Sequence, residues 1–148
     1  MPPPKLQWNI CKWRLAILWL SGGATVFILL LIMSMLDKFG ADLQDAWGWF
    51  LSSMMPSLSL IVGVLVSEAG VAKKSKAASS GHYRLAFGLS AFYILVVLMT
   101  LLATSGPAVP DAHRGIAMLR LSNLWLGPLQ GLASAALGIF YVRSQPAE

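Results

Sequence analysis

Few residues of this chain belong to the types that carry out acid–base, nucleophilic or metal chemistry. Its 148 residues include one cysteine, Cys11, and two histidines, His82 and His113. Cys11 has no second cysteine with which to form a disulfide or a CxxC redox pair. A long apolar stretch separates the two histidines, so a helix crossing a membrane there would prevent them from sharing one metal ion. We therefore expect no metal site and no cofactor.

A short polar segment near residue 111 is the one place where catalysis could be sought. Asp111, His113 and Ser122 have the residue types of a nucleophilic triad, but helical spacing does not bring the three side chains together. Asp111 and His113 form, with Arg114, the only loop cluster that an enzyme acting on lipid would use. The sequence has no glycine-rich phosphate loop, nucleophile elbow or HExxH motif. It therefore predicts that the protein is not an enzyme.

The amino-acid composition indicates the class of protein, and therefore the kind of secondary structure that would hold a functional site. Hydrophobic residues make up 57% of the chain and charged residues only 11%, whereas about a quarter of the residues of a soluble domain are charged. A single core of this length cannot hide so much apolar surface from water. This excludes a soluble globular domain, a disordered chain and a disulfide-rich secreted domain. The remaining class is a membrane protein.

The charged residues divide the chain into four apolar stretches. Residues 15–36, 46–67, 85–110 and 121–142 contain no Asp, Glu, Lys or Arg, and a membrane-spanning helix needs about 20 apolar residues. We predict an all-α integral membrane protein, a four-transmembrane-helix bundle that forms a single membrane domain over residues 1–148. The predicted spans are 14–36, 47–67, 85–104 and 121–142. The first is too long for a cleaved signal peptide and is expected to be retained as an anchor.

The distribution of basic residues predicts the orientation of the bundle. Eight of the eleven Lys and Arg residues lie in the N-terminus, the 68–84 loop and the C-terminal tail. By the positive-inside rule, both termini and this loop are expected in the cytoplasm, in a multi-pass protein of the bacterial inner (plasma) membrane. Trp47, Trp49 and Trp125 would then lie near the outer interface, where indole rings are favoured.

The central loop supplies a candidate binding surface. Lys73, Lys74, Lys76 and Arg84 make it strongly positive. Such a face attracts anionic lipid, with about 1 kcal/mol for each basic residue near the surface. A soluble acidic protein partner is the alternative ligand. Nucleic acid is not expected, because no aromatic residues are interleaved with the basic ones.

Two stripes of small residues predict close helix contacts. Ser59, Gly63 and Ser67 recur every four residues in the second span; Gly127, Gly131 and Ala135 do so in the fourth. We call them the α2 stripe and the α4 stripe, after the second and fourth helices (α2 and α4), predicted over 47–67 and 121–142. Small residues let helix backbones approach closely within lipid. The stripes are expected to pack the four helices of one chain together, or to form the contact between copies in a homo-oligomer.

Proline interrupts the second and fourth spans. Pro56 and Pro128 each remove a backbone hydrogen bond and are expected to kink their helices. A kink is the simpler interpretation, and a gate or an unwound binding site is the alternative. Asn123, Gln130 and many Ser and Thr residues could line a narrow solute path, and with the two prolines and the Ser-rich second span they favour a channel or transporter.

These observations support two functional hypotheses. The first is a non-enzymatic, oligomeric membrane protein that acts as an anchor or membrane-perturbing effector for a cytoplasmic protein. The second is a channel or uncoupled transporter for a small solute. In overall form the chain resembles compact four-span membrane components encoded beside soluble partners in bacterial systems, including defence systems. That resemblance is one of shape, and it implies a partner subunit rather than a particular activity.

Overall fold

A computed structural model describes residues 6–69, 77–78, 80–105 and 112–142 of the chain. Three of the predicted basic residues, Lys73, Lys74 and Lys76, lie outside this range, as does Asp111. The described residues form four long helices, a short 3₁₀ turn and a pair of two-residue strands.

The four helices are α1 (Trp8–Met35), α2 (Leu43–Ala69), α3 (Ser80–Ser105) and α4 (Ala112–Val142). Each contains a segment that is long and apolar enough to cross a membrane. The prediction of an all-helical chain with four candidate membrane spans is therefore confirmed. The architecture is consistent with a multi-pass membrane protein.

The helices extend beyond the predicted apolar spans. α4 begins at Ala112 and contains 31 residues, so it is about 46 Å long at 1.5 Å per residue. The hydrocarbon core of a bilayer is only about 30 Å thick. The segment that precedes residue 121 is thus a helical extension of α4. Apolar composition marks where lipid would lie, whereas backbone hydrogen bonding determines where a helix ends.

The connection between α1 and α2 folds back onto the bundle. The N–H of Asp37 donates to the carbonyl of Ser34, and the N–H of Lys38 donates to the carbonyl of Met33, at 3.2 and 3.1 Å. This pattern is the Schellman end of a helix, with Asp37 in the left-handed conformation (φ 52°) that aspartate tolerates better than most residues. A short 3₁₀ turn, Gly40–Asp42, then leads into α2 and contacts α4.

The opposite end of the bundle carries a short strand pair. β1 (Leu6–Gln7) runs antiparallel to β2 (Ala77–Ala78), with Leu6 opposite Ala78. The pair holds the start of the chain against the central loop. We call this the strand end and the other the 36–42 end. The sequence patterns did not predict the strand pair, because two residues are too few to show an alternating pattern.

The helices pack in a ring in which neighbours are α1–α2, α2–α4, α4–α3 and α3–α1. Large apolar side chains fill the centre, among them Trp19, Tyr93, Met54, Leu30 and Leu101, each no more than 1% exposed. Trp19 of α1 stacks on Tyr93 of α3 with ring centroids 5.7 Å apart.

Close approach between helices occurs at two glycines of α1. A Cβ placed on Gly22 would lie 2.7 Å from Cγ2 of Ile94 in α3, and one on Gly23 would lie 3.1 Å from a methyl group of Leu58 in α2. Hydrogen at these positions lets α1 contact both neighbours closely.

We expect Gly22→Ala to weaken the contact between α1 and α3, because its methyl group would overlap Ile94. Overpacking of this kind typically costs about 1–3 kcal/mol. The free energy of unfolding can be measured by denaturant titration in mixed micelles. Gly88→Ala in α3 is the matched control, since nothing lies within 4 Å of a Cβ there.

The double variant Gly22→Ala/Ile94→Ala distinguishes steric overlap from other effects. It removes the atoms with which the new methyl group collides, so Gly22→Ala should cost less in the Ile94→Ala background. Equal costs in both backgrounds would show that close packing at Gly22 does not stabilise the bundle.

Candidate functional site

A line of polar contacts joins α2 to α4 along the length of the bundle. On α2 the contacts recur every four residues, at Asp45, Trp49, Ser53 and Ser57, and so occupy one face of the helix. We call them the α2–α4 ladder. Four partners on α4 complete it, namely Arg120, Ser122, Gln130 and Ser134.

The contact nearest the 36–42 end inside the bundle is a buried hydrogen bond. Trp49 Nε1 donates to the hydroxyl of Ser122 at 2.9 Å, and that hydroxyl donates to the carbonyl of Leu119 at 2.6 Å. Trp49 is predicted to lie near the outer interface, and its side chain, only 3% exposed, is inside the bundle rather than on its exterior. Its ring instead fills the space between α2 and α4, where its N–H has a partner.

The middle of the ladder lies beside Pro56. A proline in a helix lacks the N–H that would bond the carbonyl four residues earlier, which here belongs to Ser52. Gln130 Nε2 of α4 donates to the carbonyl of Ser53 at 3.0 Å and makes a longer contact of 3.4 Å with that of Ser52. The hydroxyl of Tyr93 in α3 donates to the Ser53 carbonyl at 2.6 Å. Two neighbouring helices thus supply donors to the turn that proline leaves incomplete.

These contacts give the Gln130 amide a role in packing α4 against α2. An unpaired carbonyl in lipid costs several kcal/mol, and neighbouring helices commonly satisfy those that a membrane proline frees. The residue types of Pro56 and Gln130 predict a kink and a polar path, but they do not predict that the two residues meet. They lie on different helices, and only the register between α2 and α4 brings them together. α2 and α4 each continue through their prolines as one helix.

The two ends of the ladder carry different contacts. One end is a pair of hydroxyl groups, and the other is an ion pair. Ser57 Oγ lies 3.3 Å from Ser134 Oγ, toward the strand end. At the 36–42 end, Arg120 Nη2 donates to Asp45 Oδ2 at 2.6 Å, and His113 Nδ1 lies 2.6 Å from Asp42 Oδ2. The Arg120 and His113 side chains are 66% and 86% exposed, so these pairs contribute little to stability.

The residues considered for catalysis are not brought together. His113 pairs with Asp42, whereas Ser122 bonds Trp49 and Leu119 inside the bundle. Arg114 is exposed, and Asp111 lies outside the described residues. Among the residues that the structure describes, no three His, Cys, Asp or Glu side chains are grouped as metal ligands.

The predicted binding and packing residues lie on the exterior. Arg84 is exposed near the start of α3, at the strand end. In the α2 stripe Ser59 and Gly63 are exposed, whereas the structure does not describe the surroundings of Ser67. All three residues of the α4 stripe, Gly127, Gly131 and Ala135, are exposed. The stripe residues whose surroundings are described therefore do not provide close packing within one chain, which occurs at Gly22 and Gly23.

The coupling between Pro56 and Gln130 can be measured. Gln130→Leu should lower the free energy of unfolding by about 1–2 kcal/mol, because it removes a donor from two backbone carbonyls. Pro56→Ala restores the N–H that can bond Ser52, so Gln130→Leu should cost less in that background.

Asn123→Leu is the matched control, since Asn123 is an exposed amide on the same helix and its replacement should change stability by no more than about 0.5 kcal/mol. All variants would be unfolded in the same mixed micelles. The assignment is refuted if Gln130→Leu costs the same with and without Pro56.

Comparisons with protein-family models, with curated proteins and with solved structures find no match to this chain. The functional interpretation therefore rests on the residues of the chain and on where the fold places them. Three surfaces stand out: the exterior stripes of α2 and α4, the strand end and the 36–42 end.

Proposed function

We propose that this chain is a non-enzymatic, oligomeric protein of the bacterial inner membrane that acts as an anchor or membrane-perturbing effector for a cytoplasmic protein. The observation that carries the proposal is the outward position of the α2 and α4 stripes. Such a system would include a soluble partner, and bacterial defence is one setting that fits this combination.

The surroundings of the stripe glycines support contact between copies of the chain. No atom lies within 4 Å of a Cβ built on Gly63, Gly127 or Gly131. In lipid, helices associate through close van der Waals packing rather than through exclusion of water, and small residues permit that packing. A second helix can therefore approach the backbone of α2 or α4 at these positions.

The filled centre of the bundle favours this proposal over a solute channel formed by one chain. Tyr93 and Trp19 stack in the interior, and Gln130 is occupied by the carbonyls near Pro56. Asn123, the other amide expected to line a path, is exposed on α4. A channel would therefore need a passage between protomers, which again requires assembly.

The basic residues at the strand end support a partner that binds at this end of the bundle. The β1–β2 pair joins the N-terminal segment to the central loop. Lys12, Arg14 and Arg84 are at this same end, and the sequence adds Lys73, Lys74 and Lys76 to the loop. A positive surface of this kind is expected in the cytoplasm and attracts an acidic protein or anionic lipid.

Substitution in the α4 stripe provides the test of assembly. We expect the wild-type chain to form a homo-oligomer in mild detergent, and Gly131→Ile to shift it toward the monomer because the larger side chain separates the helices. Mass can be measured by size-exclusion chromatography with light scattering. Gly88→Ile is the matched control, since Gly88 is an exposed helical glycine with open space around it. A wild-type chain that is monomeric across concentrations would exclude the proposal.

Charge removal at the strand end provides the test of the partner. The chain would be co-expressed and co-purified with the products of its neighbouring genes. Replacing Lys73, Lys74, Lys76 and Arg84 with Gln should release a bound acidic protein, because the charges that attract it are lost. Replacing Lys38 and Arg114, basic residues at the 36–42 end, should leave that protein bound.

Reporters fused within residues 72–81 and after Glu148 monitor the orientation of every variant in this experiment. Both should indicate the cytoplasm. A periplasmic signal at either position in the wild type, or retention of the acidic protein after the basic residues are replaced, would contradict a cytoplasmic docking face.

A further inference from the structure

An open groove of about 530 Å³ lies along the start of α4 at the 36–42 end. Its polar part is lined by Asp42, His113 and Arg120, and its apolar part includes Leu121 and Leu124. Residues 116, 120 and 124 of α4 line it at intervals of four, so the groove follows one face of the helix. It runs from the polar extension of α4 toward the apolar segment of the same helix.

The polar part of the groove retains unused hydrogen-bonding capacity. Asp42 contacts His113 through Oδ2, and Arg120 contacts Asp45 through Nη2. The second oxygen of Asp42 and the other nitrogens of Arg120 have no hydrogen bond to the described residues. Because Arg120 is 66% exposed and Asp42 26% exposed, a ligand can reach both. The groove thus offers a negative acceptor and a positive donor side by side.

This pair of charges selects a zwitterionic headgroup. A ligand that is only anionic would be repelled by Asp42 and Asp45, whereas a ligand that is only cationic would be repelled by Arg120. A phosphate with an attached ammonium group complements both signs, with phosphate at the guanidinium and ammonium at the carboxylate.

The type of ammonium group follows from the lining residues. A primary ammonium donates hydrogen bonds that the Asp42 carboxylate can accept. A quaternary ammonium has no N–H and is usually bound by aromatic rings. No Phe, Trp or Tyr is among the described residues that line the groove. The groove therefore favours ethanolamine over choline.

The apolar part of the groove fits an acyl chain. Leu121 is 55% exposed and Leu124 72% exposed, while Ile116 forms a buried floor at 4%. A lipid whose headgroup lies at Asp42 and Arg120 would place its acyl chain over the two leucines, which lie deeper along α4. A polar headgroup without acyl chains would lose that contact.

We propose that this groove is a binding site for the headgroup and first acyl segment of phosphatidylethanolamine, in the leaflet at the 36–42 end. Arg120 binds the phosphate, Asp42 accepts from the ammonium group, and Leu121 and Leu124 contact the chain. The groove adjoins the assembly surface, since Leu124, Gly127 and Gly131 lie on one face of α4, and it lies at the opposite end of the bundle from the partner surface.

Native mass spectrometry of the delipidated full-length chain tests the site. Short-chain phosphatidylethanolamine, phosphatidylcholine and phosphatidylglycerol would be titrated separately, with phosphoethanolamine as the headgroup without chains. Phosphatidylethanolamine should bind most tightly. Arg120→Gln and Asp42→Asn should each raise its Kd by about tenfold or more, because a charge-assisted hydrogen bond is lost. Phosphoethanolamine should bind far more weakly than the lipid.

Arg114→Gln is the matched control, since Arg114 is an exposed arginine on the same helical extension but does not line the groove. It should leave the Kd unchanged. The oligomeric state and thermal stability of each variant would be recorded, so that loss of lipid is not confused with loss of assembly or folding. Equal affinity for all three lipids, or equal weakening by Arg114→Gln and Arg120→Gln, would overturn the proposal.

Discussion

Pro56 leaves the carbonyl of Ser52, in the middle of α2, without its helical hydrogen bond, and side chains from two other helices reach this turn. Water satisfies such a carbonyl in a soluble protein, but lipid cannot. Gln130 of α4 lies 3.4 Å from that carbonyl, and its shorter bond, like that of Tyr93 in α3, is to the neighbouring carbonyl of Ser53. Trp19 of α1 stacks on the Tyr93 ring. All four helices consequently meet near one turn, and the register between them depends on it.

The ladder extends this register along the α2–α4 contact. Asp45, Trp49, Ser53 and Ser57 occur at a single four-residue spacing, so a one-residue rotation of α2 would turn all of them away from α4. Each individual contact is weak in a membrane, where interhelical hydrogen bonds average about 0.6 kcal/mol. Their combined effect is on specificity, because alternative rotations would leave polar groups facing lipid.

Much of the helical architecture could be predicted from the sequence because the signal was strong and local. A charge-free stretch such as residues 121–142 has no other stable form in a bilayer. The extension of α4 back to Ala112 does not follow from the charge-free pattern, although Pro110 and Asp111 are residue types that can begin a helix leading into the fourth span. That segment contains His113, Arg114 and Arg120, and its polar composition is compatible with either a loop or a helix above the membrane.

The contacts between helices were much harder to predict, since they depend on the faces that the helices turn toward one another. Gln130 had the residue type of a solute-path amide, yet its position opposite Pro56 makes it a backbone donor. Trp49 had the residue type of an interfacial anchor, yet it is buried against Ser122. In both cases the residue type was informative, but the partner is distant in sequence.

The glycines of the bundle fall into two groups, one packed within the chain and one on its exterior. Glycine in a membrane helix lets a neighbouring helix approach closely, and at Gly22 and Gly23 the side chains of Ile94 and Leu58 occupy that space within the chain. At Gly63, Gly127 and Gly131 the same residue type faces outward. With its centre filled by Trp19, Tyr93 and their neighbours, this bundle has little interior in which to act. A second helix or a lipid would therefore have to bind at the exterior of the bundle, beside residues such as Gly63 and Gly131.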